Sequence, residues 1–402
     1  MGVQTADVVI IGGGVIGAST AYFLARAGKD VILLEREDLG AGSSGACDGF
    51  VTLQTKKPGI HLRLALESTQ LFQDLNNRLK AESGYDIAYR RTGGMIIIEN
   101  EEQMQSMRQF VEGQRAAGLR VEILGIDEAR KLEPGLSERL IGAAFSPDDG
   151  QVDPLNLTLA FAAAARRRGV RIMLHTAVTG VRVLWDRVRS VLTNQGEIGA
   201  EWVVNAAGAL GSEVANLVGL QVPIVPRRGQ VLVTEPLPPT FRHVISSARY
   251  IIAKFNNTRQ MAVAQDEFTR LGVGLALEQT ERGNVLIGSS REFVGFDRRV
   301  TYEGLQAIAR YACHIVPALR EVNIIRAFAG LRPSTPDGLP ILGGVDGVSG
   351  FVMAAGHEGD GITLSPVTGR LIAELISTGK TSIPLAGFSA SRFNPESPRA
   401  AN

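Results

Sequence analysis

Four residues near the start of the chain have the types and the spacing of a dinucleotide-binding turn. Gly12, Gly14 and Gly17 form a G-x-G-x-x-G pattern directly after an apolar stretch, and Glu35 ends the next apolar stretch. In this pattern the first glycine permits a tight turn, the second lets the backbone approach a pyrophosphate, and the third lets helix and strand pack closely. A carboxylate at the position of Glu35 accepts hydrogen bonds from ribose hydroxyls. The pattern predicts a βαβ unit that binds a dinucleotide.

A second glycine-rich segment lies near the other end of the chain. Residues 356–361 read Gly-His-Glu-Gly-Asp-Gly, between an apolar stretch at 350–355 and a helical pattern at 365–376. These glycines lack the G-x-G-x-x-G spacing, and no second fingerprint occurs elsewhere in the sequence. A hydride donor such as NADPH would need a second site of this kind. The sequence therefore predicts one dinucleotide, with the organic substrate as the reductant.

Composition excludes several classes of function. The 402 residues carry a net charge of +1, which gives no reason to expect nucleic acid or an anionic membrane as a partner. The apolar residues 8–25 approach the length of a membrane span, but the glycine cluster interrupts them. Two cysteines, Cys47 and Cys313, exclude a disulfide framework, and the five histidines have no metal-ligand spacing. We expect a cytoplasmic protein without a metal site.

Hydrophobic periodicity gives a coarse map of the elements. We expect helices over residues 59–83, 100–117, 153–168, 301–315 and 365–376. We expect strands over residues 8–11, 31–34, 94–98, 170–173, 177–184, 202–205, 230–234, 250–253, 285–288 and 350–355. Residues 222–300 differ from the rest of the chain, because their apolar and polar residues alternate with a period of two, as in β-strands. Such a β-rich insert in an α/β framework predicts a discontinuous second domain over the ligand cleft.

Five motifs in collinear order carry a resemblance that spans nearly the whole chain. They are the fingerprint at 12–17, SSGACDG at 43–49, VVNAAGA at 203–209, PRRGQVLVTE at 226–235, and AGLRPSTPDGLPILG with AAGHEGDGI at 329–343 and 354–362. The chain resembles the D-amino-acid oxidase superfamily of FAD-dependent oxidoreductases. It is most similar to the branch of glycine oxidase, the flavin subunit of hydrogen cyanide synthase, and the beta subunits of heteromeric imino-acid (D-hydroxyproline or proline) or opine dehydrogenases.

The resemblance implies an α/β fold with a Rossmann-like FAD-binding domain and a substrate domain built on a mixed, largely antiparallel sheet. On this basis residues 1–84, 140–218 and 322–394 form the FAD-binding domain, and residues 85–139 and 219–321 form the substrate or cap domain.

The cofactor implied is noncovalent FAD, because the positions at which relatives attach flavin offer neither a suitable Cys nor a His. The ADP half is assigned to the fingerprint, the pyrophosphate and ribityl chain to the loop at 43–45, and the pyrimidine edge to the loop at 356–362. The residues assigned to FAD are Gly12, Gly14, Val15, Ile16, Gly17, Glu35, Arg36, Ser43, Ser44, Gly45, Val178, Ala207, Gly208, Arg332, Gly356, Gly359, Asp360, Gly361 and Ile362.

The same resemblance assigns the substrate residues. Arg332 matches an arginine that pairs with the substrate carboxylate, and its planar fork suits two parallel bonds to that group. Tyr250 matches a tyrosine whose hydroxyl lines the site, and Phe50 matches a residue that flanks the flavin. A structural role for Arg332 between domains and an ordinary packing role for Tyr250 are the alternatives.

One position departs from the pattern. Glycine oxidase carries a second arginine in the C-terminal loop, where this chain has Gly359 between Glu358 and Asp360. Either the substrate carboxylate relies on Arg332 alone, or the loop meets a cationic end of a larger substrate. In a third interpretation both acids face solvent or cap the following helix.

The implied reaction is transfer of a hydride from the α-carbon of a small amino or imino acid to flavin N5, which gives an imine. The chain has no His/Asp/Ser constellation, so little acid–base chemistry by side chains is expected, and Cys47 is expected to be a packing residue. A 2-hydroxyacid dehydrogenase and a noncatalytic flavin-bearing assembly subunit are the alternatives outside amine oxidation.

A partner protein stays open at this stage. The chain is also compatible with a flavin subunit that passes electrons to a partner with an iron–sulfur centre or a second flavin. Such a partner could hold it at the periphery of the inner membrane. Homo- or hetero-oligomers fit either interpretation.

Overall fold

The computed structural model describes residues 4–255 and 267–393. The strands are β1 (Gln4–Ile11), β2 (Val31–Leu34), β3 (Phe50–Val51), β4 (Gly94–Ile98), β5 (Glu122–Gly125), β6 (Gly142–Ser146), β7 (Gly150–Gln151), β8 (Arg171–Met173), β9 (Val178–Leu184), β10 (Arg187–Thr193), β11 (Gly196–Asn205), β12 (Val225–Pro236), β13 (Val244–Ser247), β14 (Ala276–Gln279), β15 (Asn284–Gly288), β16 (Ile324–Ser334), β17 (Ile341–Val345) and β18 (Val348–Ala355). The α-helices are α1 (Val15–Arg26), α2 (Ile60–Ser83), α3 (Glu101–Ala116), α4 (Ile126–Leu132), α5 (Pro154–Arg167), α6 (Gly211–Asn216), α7 (Ala248–Phe255), α8 (Glu267–Arg270), α9 (Tyr302–Ile315) and α10 (Gly361–Thr378).

The first large sheet has the order β17-β18-β10-β11-β1-β2-β8, and β9 pairs with β10. Its centre is parallel, because β1 pairs in parallel with both β2 and β11. Residues Val8 to Ile10 of β1 are fully buried, as expected for a parallel strand with both faces covered. Helix α1 packs against α5 and α10 on this sheet. This is the α/β architecture that the fingerprint predicts.

The second large sheet has the order β16-β12-β15-β14-β13-β4-β6-β5 and is mostly antiparallel. A separate hydrophobic core joins it to α9, through residues such as Leu277, Ile287 and Ile308. Strands β6 and β16 belong to this sheet, whereas the predicted boundaries at 140 and 322 assigned them to the FAD-binding domain. We therefore keep the division into two domains as a proposal and move both strands to the second domain.

The predicted strand at 250–253 is wrong, because these residues lie in helix α7. The adjacent isoleucines at 251 and 252 favoured a strand, but a local cap overrides that preference. The Ser247 hydroxyl accepts a hydrogen bond from the backbone N–H of Tyr250 at 3.2 Å, as a helix N-cap does. The C-terminal helix also begins earlier than expected, at Gly361 instead of residue 365.

Among the residues that the structure describes, no helix combines the length and the apolar composition that crossing a membrane requires. Within the same ranges, no group of three or more His, Cys, Asp or Glu side chains could hold a metal ion.

Candidate active site

A cavity of about 510 Å³ runs between the two large sheets. Its volume lies in the range usual for ligand pockets. One end lies at the carboxyl ends of β1 and β2, at Gly12 and Glu35. The other end lies at Arg332 and Tyr250, and we call it the substrate end after the role predicted for these two residues. Parallel strands of open α/β sheets bind ligands at this edge.

The cavity lining brings most of the predicted site residues together. It includes Gly12, Gly14, Val15, Ile16, Glu35, Arg36, Ser43, Ser44, Phe50, Val178, Ala207, Gly208, Tyr250, Arg332, Gly359, Gly361 and Ile362. The residues predicted at the site that lie outside this lining are Gly17, Gly45, Gly356 and Asp360. The role of each residue toward a ligand stays a prediction.

Backbone contacts explain two of the fingerprint glycines. Gly12 has a φ of +115°, and a Cβ atom there would lie 2.4 Å from the carbonyl oxygen of Ala206. A Cβ atom at Gly17 would lie 1.9 Å from the carbonyl oxygen of Gly12. Both distances are far below van der Waals contact, so only glycine fits. Gly17 thus lies outside the cavity lining and allows the close approach of backbone that the turn requires.

Helix α1 begins at Val15 and points its N-terminus into the cavity. Its N-cap residue, Gly14, makes no capping bond through a side chain, and the Val15 N–H donates to Ser44 Oγ at 3.0 Å. The other N–H groups of a first helical turn have no intrahelical acceptor and carry the positive end of the helix dipole. This arrangement suits a pyrophosphate.

The Glu35 carboxylate is fixed by two backbone donors. Its Oε2 accepts from the Gly13 N–H at 2.6 Å and its Oε1 from the Glu37 N–H at 2.8 Å. A carboxylate oxygen has two lone pairs, so each oxygen can accept a further hydrogen bond. Glu35 is therefore oriented, and retains acceptor capacity for ribose hydroxyls at the cavity wall.

Asp360 has a buried environment that differs from the predicted solvent-facing or helix-capping role. Its carboxylate accepts from Lys254 Nζ at 2.8 Å and lies 2.8 Å from Lys56 Nζ and 3.0 Å from His61 Nε2, all buried. Burial alone would raise the pKa of Asp360, but Lys254 and Lys56 outweigh it and hold the pKa well below its usual range. The side chain makes no capping bond to α10. Asp360 therefore neither faces solvent nor caps the helix through its side chain, and it lies outside the cavity lining.

Glu358 is buried as well, among three guanidinium groups. Its Oε1 lies 3.6 Å from Arg227 Nη1, and the residue is 5% exposed. Burial would raise the pKa of Glu358, but Arg291, Arg332 and Arg227 together lower it. The predicted solvent-facing role is wrong for this residue too, and Glu358 is an ionised part of the substrate end.

Arg332 lies on β16 at the substrate end. Its Nη2 donates to Ser289 Oγ at 2.8 Å, and its Nη1 donates to the carbonyl oxygen of Ser290 at 3.1 Å. A guanidinium has five N–H donors, so three remain after these two bonds. The side chain is thus anchored and can still pair with a carboxylate in the cavity.

Tyr250 comes from α7 and is 6% exposed. The guanidinium carbon of Arg291 lies 4.0 Å from the centre of its ring, which is a cation–π contact. Burial raises the pKa of the Tyr250 hydroxyl and Arg291 opposes it. Tyr250 is therefore a fixed, protonated hydrogen-bonding group beside Arg332.

Sequence reasoning missed four charged residues here: Asp48, Arg227, Glu278 and Arg291. Asp48 stands inside the SSGACDG motif, and Glu278 interrupts an apolar strand, so both left a signal in the sequence. Burial, followed by Asp48 and Glu278, raises the pKa of the Cys47 thiol well above its usual value. Cys47 is thus a protonated thiol, which fits the predicted packing role because the thiolate is the nucleophile.

The family model for FAD-dependent oxidoreductases (DAO) matches residues 7–375. The chain belongs to this family. It is an FAD-dependent enzyme, and the turn at Gly12, the N-terminus of α1 and the oriented Glu35 fit the ADP half of FAD.

Two curated relatives match almost end to end. The chain is 32% identical to hydrogen cyanide synthase subunit HcnC of Pseudomonas aeruginosa, over 98% of this chain and 97% of the relative. It is 34% identical to glycine oxidase of Geobacillus kaustophilus, over 96% and 97%.

Solved structures give the same fold. The crystal structure of glycine oxidase from Geobacillus kaustophilus matches with a TM-score of 0.86 and 31% identity, over 97% of this chain and 99% of that chain. L-proline dehydrogenase from P. horikoshii matches with a TM-score of 0.85 and 27% identity, over 97% and 98%.

Acid denaturation of the purified enzyme should release free FAD into the supernatant. The reason is that the Cys47 thiol is held in its protonated form, and the Nε2 atom of His357 is engaged by the Thr368 hydroxyl at 3.0 Å. Chromatography of the supernatant and the absorbance of the washed precipitate measure the result. Flavin that stays with the precipitate, or release of FMN or NAD, would contradict the prediction.

Glu35→Ala should weaken FAD retention by about 1–3 kcal/mol, because charge-assisted bonds to the ribose hydroxyls are lost. Asp38→Ala is the matched control, since the Asp38 side chain is 79% exposed and lies outside the cavity lining. Equilibrium dialysis against free FAD gives the dissociation constants. Equal affinities of the two variants would show that Glu35 does not bind the ribose.

Proposed function

We propose that this enzyme oxidises a small amino or imino acid at the bond between the α-carbon and nitrogen. The observation that carries the proposal is Arg332, which lines the cavity and is anchored by two hydrogen bonds, with three N–H donors left for a ligand. The guanidinium fork matches a carboxylate, and binding it there would fix the neighbouring α-carbon in the cavity.

The charges at the substrate end favour a ligand that carries a carboxylate. Arg227, Arg291 and Arg332 are cations, and Glu358 is ionised. Burial raises the pKa of Asp48, and Arg332 and Arg291 oppose that rise. The three guanidinium groups outnumber the Glu358 carboxylate, and buried charges are stable only when they are paired. The carboxylate of a small amino acid supplies a further anion for this region.

The first contribution of the protein to this chemistry is placement of the substrate. Bound FAD would accept the hydride that leaves the substrate α-carbon. Arg332 and the Tyr250 hydroxyl would hold the carboxylate, and Phe50, which is 7% exposed, would shape the apolar wall. Glycine, sarcosine, D-amino acids and proline-type rings fit this description, and glycine oxidase and L-proline dehydrogenase are named for two of them.

Oxidation of a 2-hydroxy acid is the alternative within the same site. The carboxyl group of Asp48 lines the cavity, and as a carboxylate it gains more beside a cationic amine than beside a neutral hydroxyl. This favours the amine substrate.

Arg332→Lys and Arg332→Ala should both lower kcat/KM steeply, on the order of a hundredfold or more, with unchanged FAD content. Lysine keeps the charge but cannot form two parallel bonds, so alignment is lost along with affinity. Anaerobic flavin bleaching with a panel of glycine, sarcosine, prolines and D-amino acids measures the effect.

The matched control is Arg326→Ala, because Arg326 lies on the same strand as Arg332 and is exposed. Benzoate should perturb the flavin spectrum of the wild type and of the control, but not of Arg332→Ala. Near-normal turnover of Arg332→Ala would show that the carboxylate binds elsewhere.

We further propose that electrons leave the flavin to a partner protein rather than to oxygen. HcnC, a relative across nearly its whole length, is named as a subunit. Strand β15 offers apolar side chains at Val285, Leu286 and Ile287, so it contributes no cation that would stabilise superoxide beside the flavin. The positive charges of Lys56 and Lys254 are already paired with Asp360, so we do not assign either lysine that role.

Substrate-reduced enzyme should therefore reoxidise slowly in air and rapidly with an artificial acceptor or a partner protein. Stopped-flow mixing of the reduced enzyme with oxygen, followed at the visible flavin band, measures the rate. Reoxidation in air faster than reduction by substrate would identify a self-sufficient oxidase.

A further inference from the structure

Asp48 and Glu278 are two interacting carboxyl groups at the substrate end, of which Asp48 lines the cavity and Glu278 does not. Asp48 lines the cavity together with Arg332 and Tyr250. Glu278, on β14, accepts from the Gly49 N–H at 2.7 Å through Oε1, directly after Asp48 in the chain. The two carboxyl groups are therefore held beside one short backbone segment.

The carboxyl group of Glu278 is buried, and only one of its two oxygens has a hydrogen-bond partner among the described residues. It is 3% exposed, and its Oε2 has no hydrogen-bond partner among the described residues. Burial, followed by the charge of Asp48, raises the pKa of Glu278 to about 8, so the group is largely protonated at neutral pH. A buried polar atom without a partner is costly, and such atoms in native structures often mark a bound ligand or a catalytic role.

The proposed reaction requires a proton acceptor. A small amino acid in neutral water is a zwitterion, so its amine is protonated and has no lone pair. The hydride can leave the α-carbon only when that lone pair is available to form the C=N bond. The proton must therefore leave the nitrogen before the hydride transfer.

We propose that Asp48 is the catalytic residue that takes this proton, with Glu278 behind it as a positioning residue. This inference rests on the proposed function. In the step, an N–H bond of the ammonium breaks, its electron pair stays on nitrogen, and an O–H bond forms on the Asp48 carboxylate. No electrons leave the substrate in this step. The hydride transfer of the proposed function follows.

The neighbours of Asp48 are cations or protonated groups, so Asp48 is the suitable base among them. Arg332 and Arg291 are cations, and the Tyr250 hydroxyl and Cys47 thiol are protonated because burial raises the pKa of each. Glu278 also interacts with Arg90 and Asp153.

Glu358 is the competing carboxylate in the lining. Three arginines lower its pKa, whereas the pKa of Asp48 is raised by burial. The Glu358 carboxylate is already paired, since Arg227 Nη1 lies 3.6 Å from its Oε1, and we therefore assign the proton to Asp48.

The first test needs no turnover. 2-Aminoisobutyrate carries an ammonium but no α-hydrogen, and isobutyrate is the same acid without the amine. Flavin difference spectra of the FAD-loaded wild type should show 2-aminoisobutyrate binding about tenfold or more tighter, through the ion pair with Asp48. Asp48→Asn should abolish this preference while isobutyrate still binds. Asp38→Asn is the matched control and should keep the preference, because this carboxylate is exposed and lies outside the cavity lining.

The second test is the pH profile of anaerobic flavin reduction. At neutral pH Asp48→Asn should reduce the flavin on the order of a hundredfold more slowly than the wild type. The rate should recover above the pKa of the substrate amine, where the substrate arrives already deprotonated. A merely structural role of Asp48 would give no such alkaline recovery.

The wild type alone provides a further check if Asp48→Asn does not fold. Its preference for 2-aminoisobutyrate should disappear as the pH falls and Asp48 becomes protonated. A preference that persists in Asp48→Asn, or is lost in Asp38→Asn, would overturn the assignment of Asp48. So would a slow Asp48→Asn without alkaline recovery.

Failure of the proposed function has a different signature. If 2-aminoisobutyrate shows the predicted preference but no amino acid bleaches the flavin, the proton site stands and the proposed oxidation is wrong. If neither ligand perturbs the flavin, both the carboxylate site and the role of Asp48 are overturned.

Discussion

Pairing of buried charge is the constraint on which the substrate end depends. Arg227, Arg291 and Arg332 enter this region from the second sheet and its loops, and Glu358 enters from the loop before α10. Removing any of these charges from water is costly unless an opposite charge lies close by. The elements on both sides of the cavity are therefore held in one relative arrangement by the same charges that would receive the substrate. The cluster of Lys56, Lys254 and Asp360 also joins separate elements through paired charges, because Lys254 belongs to α7 and Asp360 immediately precedes α10.

The cofactor half of the cavity depends on close backbone approach instead of charge. The carbonyl oxygens of Ala206 and Gly12 occupy the space that side chains at positions 12 and 17 would need. Asn205 stabilises the neighbouring turn, since its buried amide donates to the carbonyl oxygen of Gly211 and accepts from the N–H of Ala207. A rigid backbone cradle at one end and a balanced set of charges at the other leave the middle of the cavity to the flavin and the reacting carbon.

The sequence predicted best where local rules decide the structure. The fingerprint gave the βαβ unit, because its spacing and its glycines act within one short segment, and helix periodicity gave α2 and α5 to within a residue or two. It failed at α7, where the Ser247 cap outweighs the strand preference of adjacent isoleucines. It also failed at Asp360, Glu278 and Arg291. Their partners come from distant parts of the chain, and no local pattern shows which charges a fold will bring together in its interior.

The order of strands in the first sheet has a consequence for how this chain acquires its structure. Val9 of β1 pairs with Val203 of β11, and Val203 in turn pairs with Phe351 of β18. Three neighbouring strands of one sheet thus come from parts of the chain that lie far apart, and most of the second sheet is formed by the residues between them. Contacts between residues so far apart close large loops, which slows folding. Residues up to 355 must leave the ribosome before β18 can add to the sheet, so until then the neighbouring strand presents an unpaired edge.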